Sequence, residues 1–161
     1  MKKLISIIMG SQSDLETVRE ATGLLKEFKV GFEVRVLSAH RTPDELAEHI
    51  KSAARKGTKV FIAAAGGAAA LAGVIASHTT LPVIGIPIET KSLKGLDSLL
   101  STAQMPAGIP VACMSIGKSG AKNAAIFALE ILGAADRQIQ SKLLFYKNKM
   151  RLKIRKIKIK L

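Results

Sequence analysis

The sequence predicts a doubly wound α/β domain: a parallel sheet with helices on both faces. Three observations carry that prediction. Short apolar runs of β type recur at Leu4–Met9, Val34–Leu37, Val60–Ala64, Val83–Ile86 and Ile109–Met114. Each is followed by a polar or glycine-rich turn and then a helix-like stretch, except the fourth, which enters a longer loop; this alternation is the mark of βαβ units. Several of the runs are apolar throughout rather than alternating, as strands covered on both faces must be.

The helices can be read in order. Ser13 with Glu16 three residues later fits a capping box, and Leu15, Val18, Leu25 and Phe28 then mark an apolar face. Thr42 with Glu45 fits another, strengthened by Pro43 at the first helical position, with Leu46, Ile50, Ala53 and Ala54 on the buried side. A third helix is expected from about Gly66 through Ala76, and a fourth from Ser119 to Leu132, whose small and aliphatic residues allow packing all round. Beyond Asp136, Leu143, Leu144 and Tyr146 suit one side of a further helix, while Arg151 to Leu161 is almost purely Lys/Arg with Leu/Ile. The expected organisation is one domain over residues 1–150 and a basic tail over 151–161.

Composition narrows the function classes. At 161 residues the chain can bury a proper core without metal or disulfide staples, and 48% hydrophobic against 23% charged residues excludes intrinsic disorder. Apolar runs are interrupted well before a bilayer's length, so no membrane partner is expected, and Leu4 to Met9 is too short for a secretory signal. Cys113 is the single cysteine, which suits a reducing compartment and points to the cytoplasm. The net charge of +13 is a tail property: residues 137–161 hold ten Lys/Arg and no acid, leaving 15 bases against 12 acids before them. With no Trp and one Tyr the chain lacks stacking platforms for single-stranded nucleic acid, so nucleic acid is not the expected ligand.

In an open parallel sheet, ligands bind beyond the carboxyl ends of the strands, where helix N-termini offer free N–H groups. After the first strand comes Gly10-Ser11-Gln12-Ser13-Asp14. Hydroxyls and backbone N–H groups there suit a phosphate, and Asp14 suits ribose hydroxyls; the bland alternative makes Ser13 a cap and Asp14 a first-turn acid. After the second strand, Ser38-Ala39-His40-Arg41-Thr42-Pro43 places two functional side chains in a short loop. The planar fork of Arg41 can grip phosphate, and His40 can both give and take a proton near neutral pH. His49 and His78 lack such company and read as helix-surface and helix-end residues. The run Ala65-Gly66-Gly67-Ala68-Ala69-Ala70 after the third strand has almost no bulk, which lets backbone approach a flat ligand or another helix closely. Gly117-Lys118-Ser119 ends like a P-loop, but Ala112 stands where that motif needs glycine. No pattern supports metal, nicotinamide or flavin chemistry.

G-S-Q-S-D at 10–14, S-A-H-R-T-P at 38–43, A-G-G-A-A at 65–69, L-P-V-I-G-I-P at 81–87 and G-L-D-S-L-L-S-T-A-Q-M-P-A-G-I-P-V at 95–111 together resemble class I N5-carboxyaminoimidazole ribonucleotide mutase of purine biosynthesis. The resemblance spans residues 4 to about 135. It implies a flavodoxin-like three-layer α/β/α domain assembled into a homo-octamer, with active sites where subunits meet. It also implies carboxyl transfer from the exocyclic nitrogen to C4 of aminoimidazole ribonucleotide without cofactor or metal, in step with an ATP-dependent carboxylating synthase. By matching positions, His40 would be the acid/base. Ser11, Ser13, Asp14, Ser38 and Arg41 would hold the ribose phosphate, and Gly66, Gly67 and Ala68 would border the ring.

Two departures matter. The family usually reads G-G-A-A-H-L where this chain has Ala70, so the resemblance implies reduced turnover. The tail from Arg151 to Leu161 matches nothing in the family and is read as a solvated extension, a contact to acidic partners such as RNA or anionic lipid, or a packing element in the oligomer. Two further functions compete with the mutase: a class II carboxylase taking carbon dioxide directly, and a catalytically silent ribonucleotide-binding scaffold.

Overall fold

β1 (Ile5–Met9) is buried at every position and takes the second place in a five-stranded sheet of order β2-β1-β3-β4-β5. In this computed structural model, which describes residues 2–159, its partners are β2 (Phe32–Val36) and β3 (Val60–Ala65). β4 (Val83–Pro87) and β5 (Ala112–Cys113) complete the sheet, and every pairing is parallel. The predicted alternation of strands and helices is therefore present. Only β5 falls well short of its apolar run, because Pro110 has no N–H to give a ladder and Gly108 has φ +95.

The pleat divides the core. Ile8, Phe61, Ala63 and Val83 pack with Leu46, Ile50 and Ala53 of α2 (Pro43–Arg55) and with Leu71, Ala72 and Ile75 of α3 (Leu71–Ser77). The opposite pleat, with Ile5, Ile7, Ile62 and Ile84, is equally buried. α1 (Leu15–Glu27) and α5 (Gly117–Gly133) are joined by the ion pairs Lys118–Glu16 and Lys122–Glu20.

Several local expectations shift. The cap before α1 is a box made by Ser11 and Asp14 around a 3₁₀ turn (Gln12–Asp14), two residues ahead of the predicted Ser13–Glu16 pair. Glu16 instead meets Lys118. Thr42 does precede α2, but its hydroxyl makes no cap bond and turns back to Ser38. α3 starts at Leu71 rather than Gly66, since Gly67 at φ +69 breaks any helix there. α4 (Leu96–Ala103) occupies a stretch read as loop. Its buried side is Ser98 and Thr102 while Leu96 and Leu100 face out, so the apolar periodicity that signals a helix is absent.

The chain divides into two compact units at Ala128 and Leu129. In the second, Asp136 caps α6 (Arg137–Arg155) by accepting from the backbone of Gln138 and Ile139. Leu143 is buried near Gly133, whereas Leu144 is exposed, so the two do not share an environment as the sequence suggested. Residues 151–159 are exposed. Lys160 and Leu161, the end of the predicted tail, lie outside the described residues.

His49 is not a simple surface residue. From α2 its Nε2 lies 3.0 Å from the hydroxyl of the fully buried Ser6 on β1 and 3.4 Å from Glu33 on β2. Burial pushes its imidazole below the ordinary value; Glu33 offsets this only partly, and Arg35, Lys56 and Lys3 add to it. The folded chain thus accepts this proton less readily than the unfolded one. The stability from neutral His49 is present above pH about 6.5 and is lost as pH falls through the lowered folded value. His49→Gln, which keeps a partner for Ser6, is expected to flatten the decline in melting temperature below pH about 6.5 relative to the parent. Parallel melting curves in the two proteins check this, and identical slopes would refute it.

Candidate active site

The order of strands reverses at β1: β2 lies on one side of it, and β3 and the rest lie on the other. A crevice opens beyond the carboxyl ends at such a reversal, because the connections leave in opposite directions. Here the segments after β1, β2, β3 and β4 border one cavity of about 490 Å³.

After β1, a closed set of bonds rigidifies the serine turn. Ser11 Oγ accepts from Ser13 N at 3.3 Å and from the Ser13 hydroxyl at 2.9 Å. Asp14 accepts from Ser11 N at 3.2 Å and from the Ser13 hydroxyl at 3.2 Å. Asp14 is only 7% exposed, and burial pushes its carboxyl up although the bonds from Ser13 and Ser11 pull it back. A carboxylate so desolvated gains from a ligand hydroxyl that donates to it.

After β2, Ser38 Oγ accepts from the backbone N–H groups of His40 and Arg41 and from Arg41 Nε. Arg41 Nη2 then reaches the Gly10 carbonyl at 3.0 Å, tying the second loop to the first. Thr42 closes the loop from below, accepting from Ser38 N at 2.9 Å and donating to Ser38 O at 3.2 Å. His40 is exposed and lines the cavity with the serine turn, and its ring makes no hydrogen bond within the described chain.

After β3, Gly66, Ala68 and Ala70 line the cavity. Gly67 does not. Its N–H donates to Ser98 Oγ at 2.9 Å and its carbonyl accepts from Ser101, so it anchors the small-residue loop to α4. All the other predicted site residues line the cavity together: Ser11, Ser13, Asp14, Ser38, His40, Arg41, Gly66 and Ala68.

Sequence reasoning missed the fourth wall, Ile88, Glu89 and Thr90. The signal that could have found it was the rule already applied to the other strands, that the residues just beyond a strand's carboxyl end face the ligand. Thr90 is committed: its hydroxyl donates to Asp97 at 2.8 Å and accepts from Gly95 N at 3.3 Å.

A serine turn, an arginine bridge, an imidazole without a hydrogen bond among the described residues and a bulk-free loop thus border one cavity. The sequence pattern of the family described as AIR carboxylase matches residues 4–153. The chain belongs to the AIR carboxylase family. It is 54% identical over 143 residues to the N5-carboxyaminoimidazole ribonucleotide mutase of Bacillus subtilis, covering 89% of this chain and 88% of that one. It is 51% identical over 146 residues to the bifunctional purine synthesis protein purC/E of Dictyostelium discoideum, covering 91% of this chain and 15% of that one. Among solved structures, Treponema denticola PurE superposes with a TM-score of 0.86 at 29% identity, covering 94% of each chain. The likeness to PurE fits the flavodoxin-like α/β fold that the sequence implied. Among the described residues no helix is long and apolar enough to cross a membrane.

Thr42 spends its hydroxyl on closing the loop that carries His40 rather than on a helix cap, which gives a direct test. Thr42→Val leaves the Ser38 N–H without its partner and is expected to cost about 1–3 kcal/mol. Urea denaturation measures the cost, and amide exchange at His40 and Arg41 should quicken in the variant. Unchanged exchange would mean that the loop is held by other contacts.

Proposed function

We propose that this chain is an isomerase of de novo purine biosynthesis that moves a carboxyl group from the exocyclic nitrogen to C4 of aminoimidazole ribonucleotide. The observation that carries the proposal is the uncommitted His40 ring lining the same cavity as the serine turn and the small-residue loop. The family membership and the 54% identity to a named mutase support it. Neither the direct carboxylase nor the silent scaffold has an observation in its favour of comparable weight.

The matching positions of the family resemblance and the shared lining of the cavity support the following roles. Ser11, Ser13, Ser38 and Arg41 take the phosphate, with Asp14 accepting from ribose hydroxyls. Gly66 and Ala68 border the ring, and Gly67 sets the loop that carries them. A proton from the His40 imidazolium to the exocyclic nitrogen lets the bond from nitrogen to the carboxyl carbon break, its electron pair staying on nitrogen as carbon dioxide leaves. C4 of the ring then attacks the carbon dioxide, and the neutral imidazole removes the C4 proton, which restores the imidazolium. One shuttling group serves both halves. Alanine and glycine walls keep the gas close in a small space, and the phosphate grip makes recapture effectively intramolecular.

The substrate is a ribonucleotide carrying an N-carboxylate, whose formation requires an ATP-dependent carboxylating synthase. A homo-octamer is proposed for the assembly. Leu93, Leu96, Leu100 and Ile109 are left exposed on neighbouring stretches of sequence, and an apolar set of that kind favours burial between copies. A monomer in sedimentation at micromolar concentration would oppose this.

An assay following loss of the N-carboxylated ribonucleotide tests the mechanism. His40→Asn is expected to lose at least about a hundredfold in kcat while keeping ligand affinity, and Arg41→Ala to act mainly on binding. Ala70 lines the cavity, and Ala70→His is expected to raise kcat/KM about tenfold or more by adding a hydrogen bond to a charged reacting group. Undiminished turnover in His40→Asn would remove the mechanism.

A further inference from the structure

Resting on that reading, the geometry points to Glu89 as the acceptor for the exocyclic amino group of the substrate, the contact that fixes which way the ring faces. The strand order separates two kinds of lining. At the β2–β1 end, where Arg41 is tied to the Gly10 carbonyl, Ser11, Ser13, Asp14, Ser38 and Arg41 supply donors and a carboxylate. At the β3–β4 end, where Gly66 meets Ile88, the lining residues Gly66, Ala68, Ala70, Leu71 and Ile88 offer a ring no side-chain hydrogen bond at all.

Two polar side chains interrupt that apolar end, Glu89 and Thr90. The Thr90 hydroxyl is already spent on Asp97 and the Gly95 N–H. Glu89 makes no hydrogen bond and no ion pair among the described residues. It is therefore the one uncommitted side-chain acceptor at this end. Its chain neighbours lie against the small-residue loop, a Cβ on Gly66 being 3.5 Å from Ile88 Cβ and 3.6 Å from Thr90 Cγ2, while Glu89 itself is exposed and lines the cavity.

The backbone carrying Glu89 is held firmly. Ile88 N donates to Ala65 O at 2.9 Å, and Ile88 O accepts from the Ser98 hydroxyl at 2.7 Å. Gly95, at φ +90, packs so closely that a Cβ there would come within 3.2 Å of Glu89 Cα. A carboxylate on a fixed backbone, at the end where the heterocycle lies, matches the only strong donor that a 5-aminoimidazole presents away from its phosphate. The amino nitrogen keeps at least one N–H with or without the carboxyl group, so the contact can persist through the reaction while C4 is held toward His40.

Calorimetric titration separates this contact from the rest of the site. The ligands are 5-aminoimidazole ribonucleotide, the same ribonucleotide lacking the amino group, and ribose 5-phosphate; the proteins are the parent, Glu89→Ala and Glu89→Gln. The parent is expected to bind the amino ribonucleotide about tenfold more tightly than its deamino analogue. In Glu89→Ala that preference should fall to within about twofold, and in Glu89→Gln, which keeps a neutral acceptor, to an intermediate value. Ribose 5-phosphate affinity should be the same in all three. Retention of the full preference in Glu89→Ala, or its absence in the parent, overturns the assignment while leaving the ribonucleotide site in place. If Glu89→Ala does not fold, an unchanged preference in Glu89→Gln overturns it equally. Failure of the parent to bind any of the three ligands would remove the proposed function itself.

Discussion

The reversal of strand order at β1 is the constraint on which the chemistry of this molecule depends. Parallel strands all end at the same edge, and connections leaving that edge in opposite directions leave an uncovered crevice. Into it the chain delivers four short segments, one after each of β1 to β4. Without that shared edge, Asp14, His40 and Glu89 would be remote residues on separate loops. The bond from Arg41 to the Gly10 carbonyl ties the loop after β2 to the loop after β1, holding the guanidinium in place before any ligand arrives.

Preorganisation here works against stability in one place. Asp14 is a carboxylate kept from water, with burial pushing its protonation upward and two hydrogen bonds insufficient to reverse the push. A raised carboxyl favours folding only while it is protonated, so at neutral pH the ionised group is carried at a cost. Such a group fits a site that completes its hydrogen bonds with a ligand. Thr42 shows a similar diversion: a residue whose type and position suit capping spends its hydroxyl on Ser38, and the histidine loop is fixed instead of the helix end.

The parts that could be read from residues alone were those governed by local chemistry. β1, β3 and β4 announced themselves because burial on both faces demands continuous apolar runs, and α2 began where Pro43 said it would. The serine turn and the histidine loop were legible because hydroxyls, an imidazole and a guanidinium stand together just beyond strand ends, where a parallel sheet binds its ligands. α4 was hidden because its inward face is Ser98 and Thr102, satisfied by the backbone of Ile88 and Ser98, so no apolar period betrayed it. His49 was misjudged because its partners, Ser6 and Glu33, are distant in sequence and meet it only across the sheet.

Sequence by itself determined the class of fold, the family and the residue types that can hold a phosphate and move a proton, since each follows from neighbours a few positions apart. Tertiary structure alone decided which of those residues share a cavity. It withdrew Gly67 from the wall into a tie to α4, and it added Ile88, Glu89 and Thr90 as the fourth side. The physical reason is that a hydrogen bond between loops belongs to no local pattern. Whether a side chain is spent or free depends on what the folded chain brings within about 3 Å of it.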